Sequence, residues 1–169
     1  RYDFLSNIAH IEGADAVALG HTSDDQVETI LMHLIRGSGI GGLTGMAHKS
    51  YWPSRTSTNK MAIVRPLLNA THQETQEYCA NMGFVPINDL SNFSDEFTRN
   101  SIRLNLVPLL QRYNPKVKES ILRLAHSVSQ DQSFILSETN KAKYRITEQT
   151  NTGFSVDRTS FQSMPYSLQ

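Results

Sequence analysis

Residues 14–37 read ADAVALGHTSDDQVETILMHLIRG, and the hydrophobic period changes within them. The first part, residues 14–20, is short, apolar and closed by glycine, which fits a strand buried on both faces of a parallel sheet. Ser23 can then cap a helix, and Gln26 three residues later completes a capping box. Val27, Ile30, Leu31, Leu34 and Ile35 recur at helical spacing, and Gly37 supplies the stop. Upstream, Tyr2, Leu5, Ile8 and Ala9 mark an earlier helix that ends near Gly13. Helix, buried strand, helix is the repeating unit of an α/β fold with a doubly wound, mostly parallel sheet. Ligands of such sheets bind beyond the carboxyl ends of the strands, so residues 20–25 are expected at the binding edge.

The residue types at that edge suit phosphate and metal chemistry. His21 and Asp25 are four apart and Asp25 and Glu28 three apart, so a helical turn would project them from one side. A carboxylate there can hold magnesium, which usually keeps positions for water and substrate phosphates. The competing reading is that Asp24 and Asp25 only complement the positive end of the helix. After the helix, Gly37, Gly39, Gly41, Gly42 and Gly45 fall within nine residues. Such a run allows close backbone approach to a ligand or serves as a flexible loop, and it matches no lysine-containing phosphate-loop signature.

Composition limits the alternatives. The 169 residues, 38% of them hydrophobic, can bury one core and a smaller second unit. The formal charge is zero, so no global field draws in nucleic acid. Local charge is uneven. Residues 97–126 carry six basic side chains, Arg99, Arg103, Arg112, Lys116, Lys118 and Arg123, against Glu119. Residues 1–30 carry Asp3, Glu12, Asp15, Asp24, Asp25 and Glu28 against Arg1. An acidic half beside a basic segment fits a metal-dependent enzyme acting on RNA; a solvated helix face explains the basic segment equally well. Cys79 is the only cysteine, which excludes an internal disulfide and an all-cysteine metal cluster within these residues and suits a reducing cytoplasm. No run of about 18 apolar residues could span a membrane.

The remaining segments can be read coarsely. Residues 51–59 are polar and suggest a surface loop, and MAIVRPLL (residues 61–68) reads as a strand ended by Pro66. Thr71 and Glu74 form a second capping box, with Thr75, Tyr78, Cys79 and Met82 as the buried stripe and Gly83 as the stop. FVPIND is a short extended piece. A helix from Asp95 carries Ile102, Leu106, Leu109 and Leu110, with a kink or break expected at Pro108. Pro115 opens another helix with Val117, Ile121, Leu124 and Val128 on one face, becoming polar and exposed toward Gln149. GFSVD can form a last strand. Asp89, Ser91 and Asn92 can cap the helix that follows them. Arg99 and Arg103, four apart, can address neighbouring phosphates, and Arg99 can equally pair with Asp95.

GHTSDDQVETILMHLIRGSGIGGLTGM, IVRPLL, DLSNFSDEFTRNSIR and VPLLQRYNP occur in this order. Together they resemble the tRNA(Ile)-lysidine synthetases, N-type ATP pyrophosphatases of the PP-loop family, through about residue 126. The resemblance implies the C-terminal part of a PP-loop domain over residues 1–107, followed over residues 108–169 by a mainly helical linker and the start of a substrate- or tRNA-binding domain. It implies ATP with Mg2+ as the activating pair, free L-lysine as the acceptor amine, tRNA(Ile) as the RNA partner and a cytoplasmic location without membrane contact. A homodimer is left open. The implied reaction adenylates the C2 oxygen of the wobble cytidine, after which lysine displaces AMP.

Under this reading Asp25 is the expected catalytic and metal-binding carboxylate. His21 orients a phosphate or the reacting base, and Arg1 resembles an arginine beside the ATP site. Asp24 is the expected capping member of its pair and joins His21, Gly37 and Gly39 in nucleotide binding. Arg99, Arg103, Arg112, Lys116, Lys118 and Arg123 are the expected tRNA contacts. The resemblance assigns no separate roles to Asp89, Asn92 and Asn100. The family's Ser-Gly-Gly-x-Asp-Ser turn is not among these residues, so the expectation is a fragment cut at both ends that does not turn over ATP by itself. A thiolation or amidating relative, or a noncatalytic RNA-binding or scaffold piece, are the alternatives.

Overall fold

A computed structural model describes residues 2–52, 61–85, 98–150 and 153–168. These form two compact units, Arg1–Ala125 and His126–Gln169.

In the first unit, α1 (Tyr2–Ile11) leads to β1 (Ala16–Ala18) through Gly13, whose φ of 64° makes the tight reversal that a side chain would resist. α2 (Ser23–Ile35) follows, then the single turn α3 (Ile40–Leu43), β2 (Lys49–Trp52) and β3 (Met61–Val64). The strand order is β1-β3-β2, with β1 parallel and β2 antiparallel to β3. The fold is therefore α/β as expected, but β1 pairs on one side only among the described residues. Ala16 and Ala18 are exposed and Val17 half-buried, so β1 is not covered on both faces. β2 also corrects the expected loop at its first two residues: Tyr51 and Trp52 are paired with Ala62 and Met61, and Trp52 stacks on Tyr2 with ring centroids 4.5 Å apart. Polarity hid this strand because only alternate residues, Ser50 and Trp52, turn inward. The remainder of that loop, and the expected cap at Asp89, Ser91 and Asn92, lie outside the described residues.

The first half of α2 is buried almost all round, and its second half emerges. Val27, Ile30 and Leu31 are buried, whereas Leu34 and Ile35 of the same stripe are exposed. Val27 and Leu31 form a core with Ile102 and Val107, packed by Met32, Leu106, Leu110, Ile121 and Leu122. α4 (His72–Asn81) carries the expected Thr71–Glu74 capping box and ends at Gly83 with φ of 76°, but its stripe is not buried: Tyr78 and Met82 are exposed and Cys79 is half-buried.

Ile102 and Val107 reach the core through an adjustment for proline. α5 (Thr98–Ser101) passes into a π-helical turn over Ile102–Leu106 and then α6 (Val107–Tyr113). The Val107 N–H donates to the Ile102 carbonyl, five residues back. Pro108 has no N–H to continue the ordinary four-residue ladder, and the widened turn absorbs that loss without ending the helix. α7 (Val117–Ile146) begins in this unit and buries Ala125; Leu124 of its expected stripe is exposed.

The second unit comprises the remainder of α7, a hairpin of β4 (Thr147–Thr150) and β5 (Gly153–Val156), and α8 (Arg158–Ser163) capped by Asp157. The helix expected to reach Gln149 therefore stops at Ile146, because Thr147–Thr150 pair with the strand predicted at GFSVD. No helix among the described residues is long and apolar enough to cross a membrane.

Candidate active site

Parallel pairing brings the ends of β1 and β3 to the same edge. The register Ala18↔Val64 sets Arg65 next to the turn that carries Gly20, His21 and Thr22 into α2. The Ser23 N–H donates to the Ala70 carbonyl at 2.8 Å, and Gln26 donates through Nε2 to the Met46 carbonyl at 2.9 Å while its Oε1 accepts the Met46 N–H at 2.7 Å. Both members of the expected Ser23–Gln26 capping box are thus committed to tertiary partners.

The cap is one residue earlier. Thr22 is the N-cap, and its N–H and hydroxyl donate to Asp25 Oδ2 at 2.8 and 2.9 Å. A carboxylate at this position satisfies the first turn better than a neutral amide, since its hydrogen bonds are charge-assisted. Asp25, and not the expected Asp24, therefore closes the capping box. Asp24 instead accepts the His72 N–H at 2.7 Å and pairs with Lys118 Nζ at 2.6 Å. Burial opposes the charged form of Asp24, but the His72 and Lys118 hydrogen bonds outweigh it and hold the carboxyl below its ordinary range.

Asp25 Oδ1 faces the basic segment. Arg99 Nη2 donates to it at 2.9 Å, and Arg103 Nη2 lies 3.6 Å away. Glu28, one turn along and with a side chain only 3% exposed, accepts Arg99 Nε at 2.8 Å, Arg103 Nε at 2.5 Å and Arg103 Nη2 at 3.1 Å. These bonds raise the pKa of Arg103 further, the Glu28 hydrogen bond being the largest cause, so this guanidinium stays cationic. Two carboxylates and two guanidiniums consequently form one neutral, mutually oriented cluster.

The acidic half and the basic segment thus meet across the first unit. Of the six expected tRNA contacts, Arg99, Arg103 and Lys118 are turned onto α2, while Arg112, Lys116 and Arg123 are exposed. Arg99 has acidic partners in Asp25 and Glu28, and Asp95 lies outside the described residues. Arg1 also lies outside them.

The glycine run leaves the site and then returns to it. Gly37, with φ of 77°, terminates α2, and Gly39 caps α3. Ile35, the last residue of α2, is roughly 15 Å along the axis from Asp25 at 1.5 Å per residue, and Gly37 follows beyond it. The run comes back at Gly45, where φ is 68° and an added Cβ would lie 2.8 Å from the Gln26 side chain. It is a fixed connection clamped by Gln26.

Three participants were not singled out from the sequence as site residues. Glu28 was visible as one of three acids at helical spacing, but its two arginine partners come from more than 70 positions away. Gln26 was assigned to a local cap. Arg65 is buried, 8% exposed, and donates through Nε to His21 Nδ1 at 3.2 Å and through Nη1 to the Ala47 carbonyl and Ser50 Oγ, both at 2.9 Å. Its signal was a lone charge in the apolar run IVRPLL.

A strand-to-helix edge of this kind, lined by oriented carboxylates, guanidiniums and an imidazole, defines the class: an α/β domain of the doubly wound type with a polar site beyond its parallel strands. The chain belongs to the PP-loop domain family, which residues 1–110 match. It is 36% identical over its whole length to the tRNA(Ile)-lysidine synthase of Dehalococcoides mccartyi, covering 36% of that protein. The enzymes of the same name from Bacteroides thetaiotaomicron and Geobacillus kaustophilus are 38% and 33% identical over 86% and 100% of the chain, which covers 32% and 35% of them. The chain therefore spans about a third of the length of these relatives. Among solved structures, the U34-tRNA thiolase NcsA from Methanococcus maripaludis with its [4Fe-4S] cluster shares the fold, with a TM-score of 0.53 and 19% identity over 74% of this chain and 40% of that one.

Proposed function

We propose that these residues form part of a tRNA(Ile)-lysidine synthetase, an ATP-dependent ligase that joins lysine to C2 of the wobble cytidine of tRNA(Ile). One observation carries the reading. Two motifs far apart in sequence, HTSDDQVET and RNSIR, converge through Asp25, Glu28, Arg99 and Arg103. The names of the relatives matched over the length of the chain point the same way. PP-loop membership supports ATP as the nucleotide.

In this reading ATP activates the C2 oxygen of cytidine and pyrophosphate leaves; the lysine amine then attacks C2 and AMP departs. The chain's own residues supply orientation and charge. Asp25 and Glu28 fix the guanidinium planes of Arg99 and Arg103, which can stabilise negative charge developing on a phosphate or on the base without reorganising at the moment of reaction. His21 stands at the strand edge, where its ring accepts from Arg65.

Asp25 Oδ2 accepts twice from Thr22 and Oδ1 accepts from Arg99, whose positive charge beside Oδ1 opposes a cation held there in this arrangement. Among the described residues no group of three His, Cys, Asp or Glu side chains is arranged to hold a metal. We therefore propose that Mg2+ travels with the ATP phosphates, and no step is assigned to a protein-held ion. Lysine as acceptor, the cytoplasmic location, tRNA contact by Arg112, Lys116 and Arg123, and the functional division after residue 107 remain parts of the proposal.

The test is lysine- and tRNA-dependent AMP release by a full-length protein carrying these residues. Asp25→Asn keeps the shape of the cap and removes its charge. It is expected to lower adenylation strongly and, because the new NH2 must face the donors of Thr22 or of Arg99, to cost about 1–3 kcal/mol of stability. Full activity in that variant would remove Asp25 from the mechanism, and lysine-independent turnover would exclude the synthetase reading.

A further inference from the structure

We propose that Arg65 is the buried half of an oxyanion site at the carboxyl edge of β3, and that its counter-charge is a phosphoryl oxygen of a bound nucleotide or RNA. The identity of that ligand rests on the proposed function. The need for an anion rests on the charges around the strand edge.

Those charges cancel without Arg65. Asp24 pairs with Lys118, and Asp25 and Glu28 pair with Arg99 and Arg103, so three carboxylates meet three cations. Arg65 is a fourth cation and only 8% exposed. Its Nε donates to the His21 ring at 3.2 Å and its Nη1 to the Ala47 carbonyl and Ser50 Oγ at 2.9 Å each, and none of these groups carries a negative charge. Among the described residues no Asp or Glu forms an ion pair with it. A guanidinium cannot shed its proton to escape burial, as a buried lysine can. Such acceptors satisfy its hydrogens but leave its charge uncancelled, and a buried charge is costly unless an opposite one accompanies it.

One side of the guanidinium is committed and the other is open. Nε and Nη1 are taken, whereas no acceptor among the described residues holds Nη2. No described buried side-chain nitrogen or oxygen lacks a partner, so Nη2 must reach the surface. Its setting is rigid. The Arg65 N–H donates to the His48 carbonyl at 2.8 Å, and the Leu19 N–H donates to the Val64 carbonyl at 2.9 Å, which fixes the ends of β1 and β3 where ligands of such sheets bind. Gln26 grips Met46 at both its N–H and its C=O, so the segment that holds Nη1 is itself tied to α2. A cation held in this way meets an anion without reorganising, and its N–H groups suit the charge-assisted bonds that phosphate oxygens accept.

The experiment measures the affinity of the full-length protein, unaltered and as Arg65→Met, for ATP, for inorganic pyrophosphate and for a tRNA(Ile) transcript. Losing one charge-assisted hydrogen bond is expected to weaken binding about 10- to 100-fold for the ligand that supplies the anion. A loss with ATP and pyrophosphate but not with tRNA places a nucleotide phosphate on Arg65. A loss with tRNA alone, with the salt slope reduced by about one unit, places an RNA phosphate there. Unchanged affinity for all three in a folded variant would overturn the proposal. Arg65→Lys keeps the charge and should retain more affinity than Arg65→Gln, which keeps hydrogen bonding without charge; the reverse order would make Arg65 only a structural tie. If Arg65→Met does not fold, the unaltered protein labelled with 15N in arginine decides: the Arg65 side-chain signals, assigned through its backbone, should shift on saturation with the anion that binds there. Signals unmoved by all three ligands would refute the site. A protein that binds its anion through Arg65 but makes no lysidine would refute the functional reading and leave the site standing.

Discussion

Replacing Glu28 by Gln tests whether the charge cluster holds the first unit together. The side chain is 3% exposed, and the substitution keeps its shape while removing its charge. An amide oxygen can still accept from one guanidinium, but the amide NH2 must then face the other, so at least one of the Arg99 and Arg103 bonds becomes a donor–donor contact. Charged hydrogen bonds contribute about 1.5–3 kcal/mol each, and breaking a fully buried pair costs about 3–5 kcal/mol. Arg99 and Arg103 are 37% and 42% exposed and can recover hydration, which places the net loss nearer to about 2 kcal/mol. For a chain of this size that corresponds to a melting shift of about 4–8 °C. Urea unfolding followed by the emission of Trp52, the only tryptophan, reads the first unit directly, because this ring stacks on Tyr2. A loss under about 0.5 kcal/mol would refute the argument and make the cluster an ordinary surface ion pair. So would a Glu28–Arg103 double-mutant cycle with no coupling.

Asp24 predicts a pH dependence. Its folded pKa lies below the ordinary 3.8, so the stability it contributes is fully present above that value and disappears as pH falls through the folded pKa. Asp24→Asn should therefore be less stable at neutral pH and show a flatter stability profile below pH 3.8, measured by urea midpoints across the acid range. Gly45→Ala combines a left-handed backbone with a Cβ 2.8 Å from Gln26, and about 2 kcal/mol of destabilisation is expected in the same assay. Gly39→Ala, where a Cβ meets nothing within 4 Å, should be close to neutral. Neutralising Arg112, Lys116 and Arg123 in the full-length protein should reduce the salt slope of tRNA binding by about one unit per lost phosphate contact. An unchanged slope would assign them to a solvated face.

The sequence by itself determined the elements whose causes are local. Helical spacing after residue 22, the Thr71–Glu74 capping box, the glycine stops and the alternation of strand and helix were all legible, because each depends on residues within one or two turns of chain. The same locality explains the misplaced cap of α2. Thr22–Asp25 and Ser23–Gln26 are both acceptable capping frames, and the choice between them came from Ala70 and Met46, which took Ser23 and Gln26 as tertiary partners. Edge exposure of β1 and the outward Tyr78 and Met82 likewise depend on what packs against a face, which period alone does not contain.

The site followed the same division. His21, Asp24 and Asp25 were legible because a strand-to-helix turn concentrates ligand-binding groups wherever it occurs. Only the tertiary structure decided that Asp25 closes the cap and Asp24 reaches Lys118, that Glu28 gathers two distant arginines, and that Arg65 donates to the ring of His21. Charges and donors attract whatever partner the fold delivers within a few ångströms, and in this protein the partners arrive from 44 to 94 positions away.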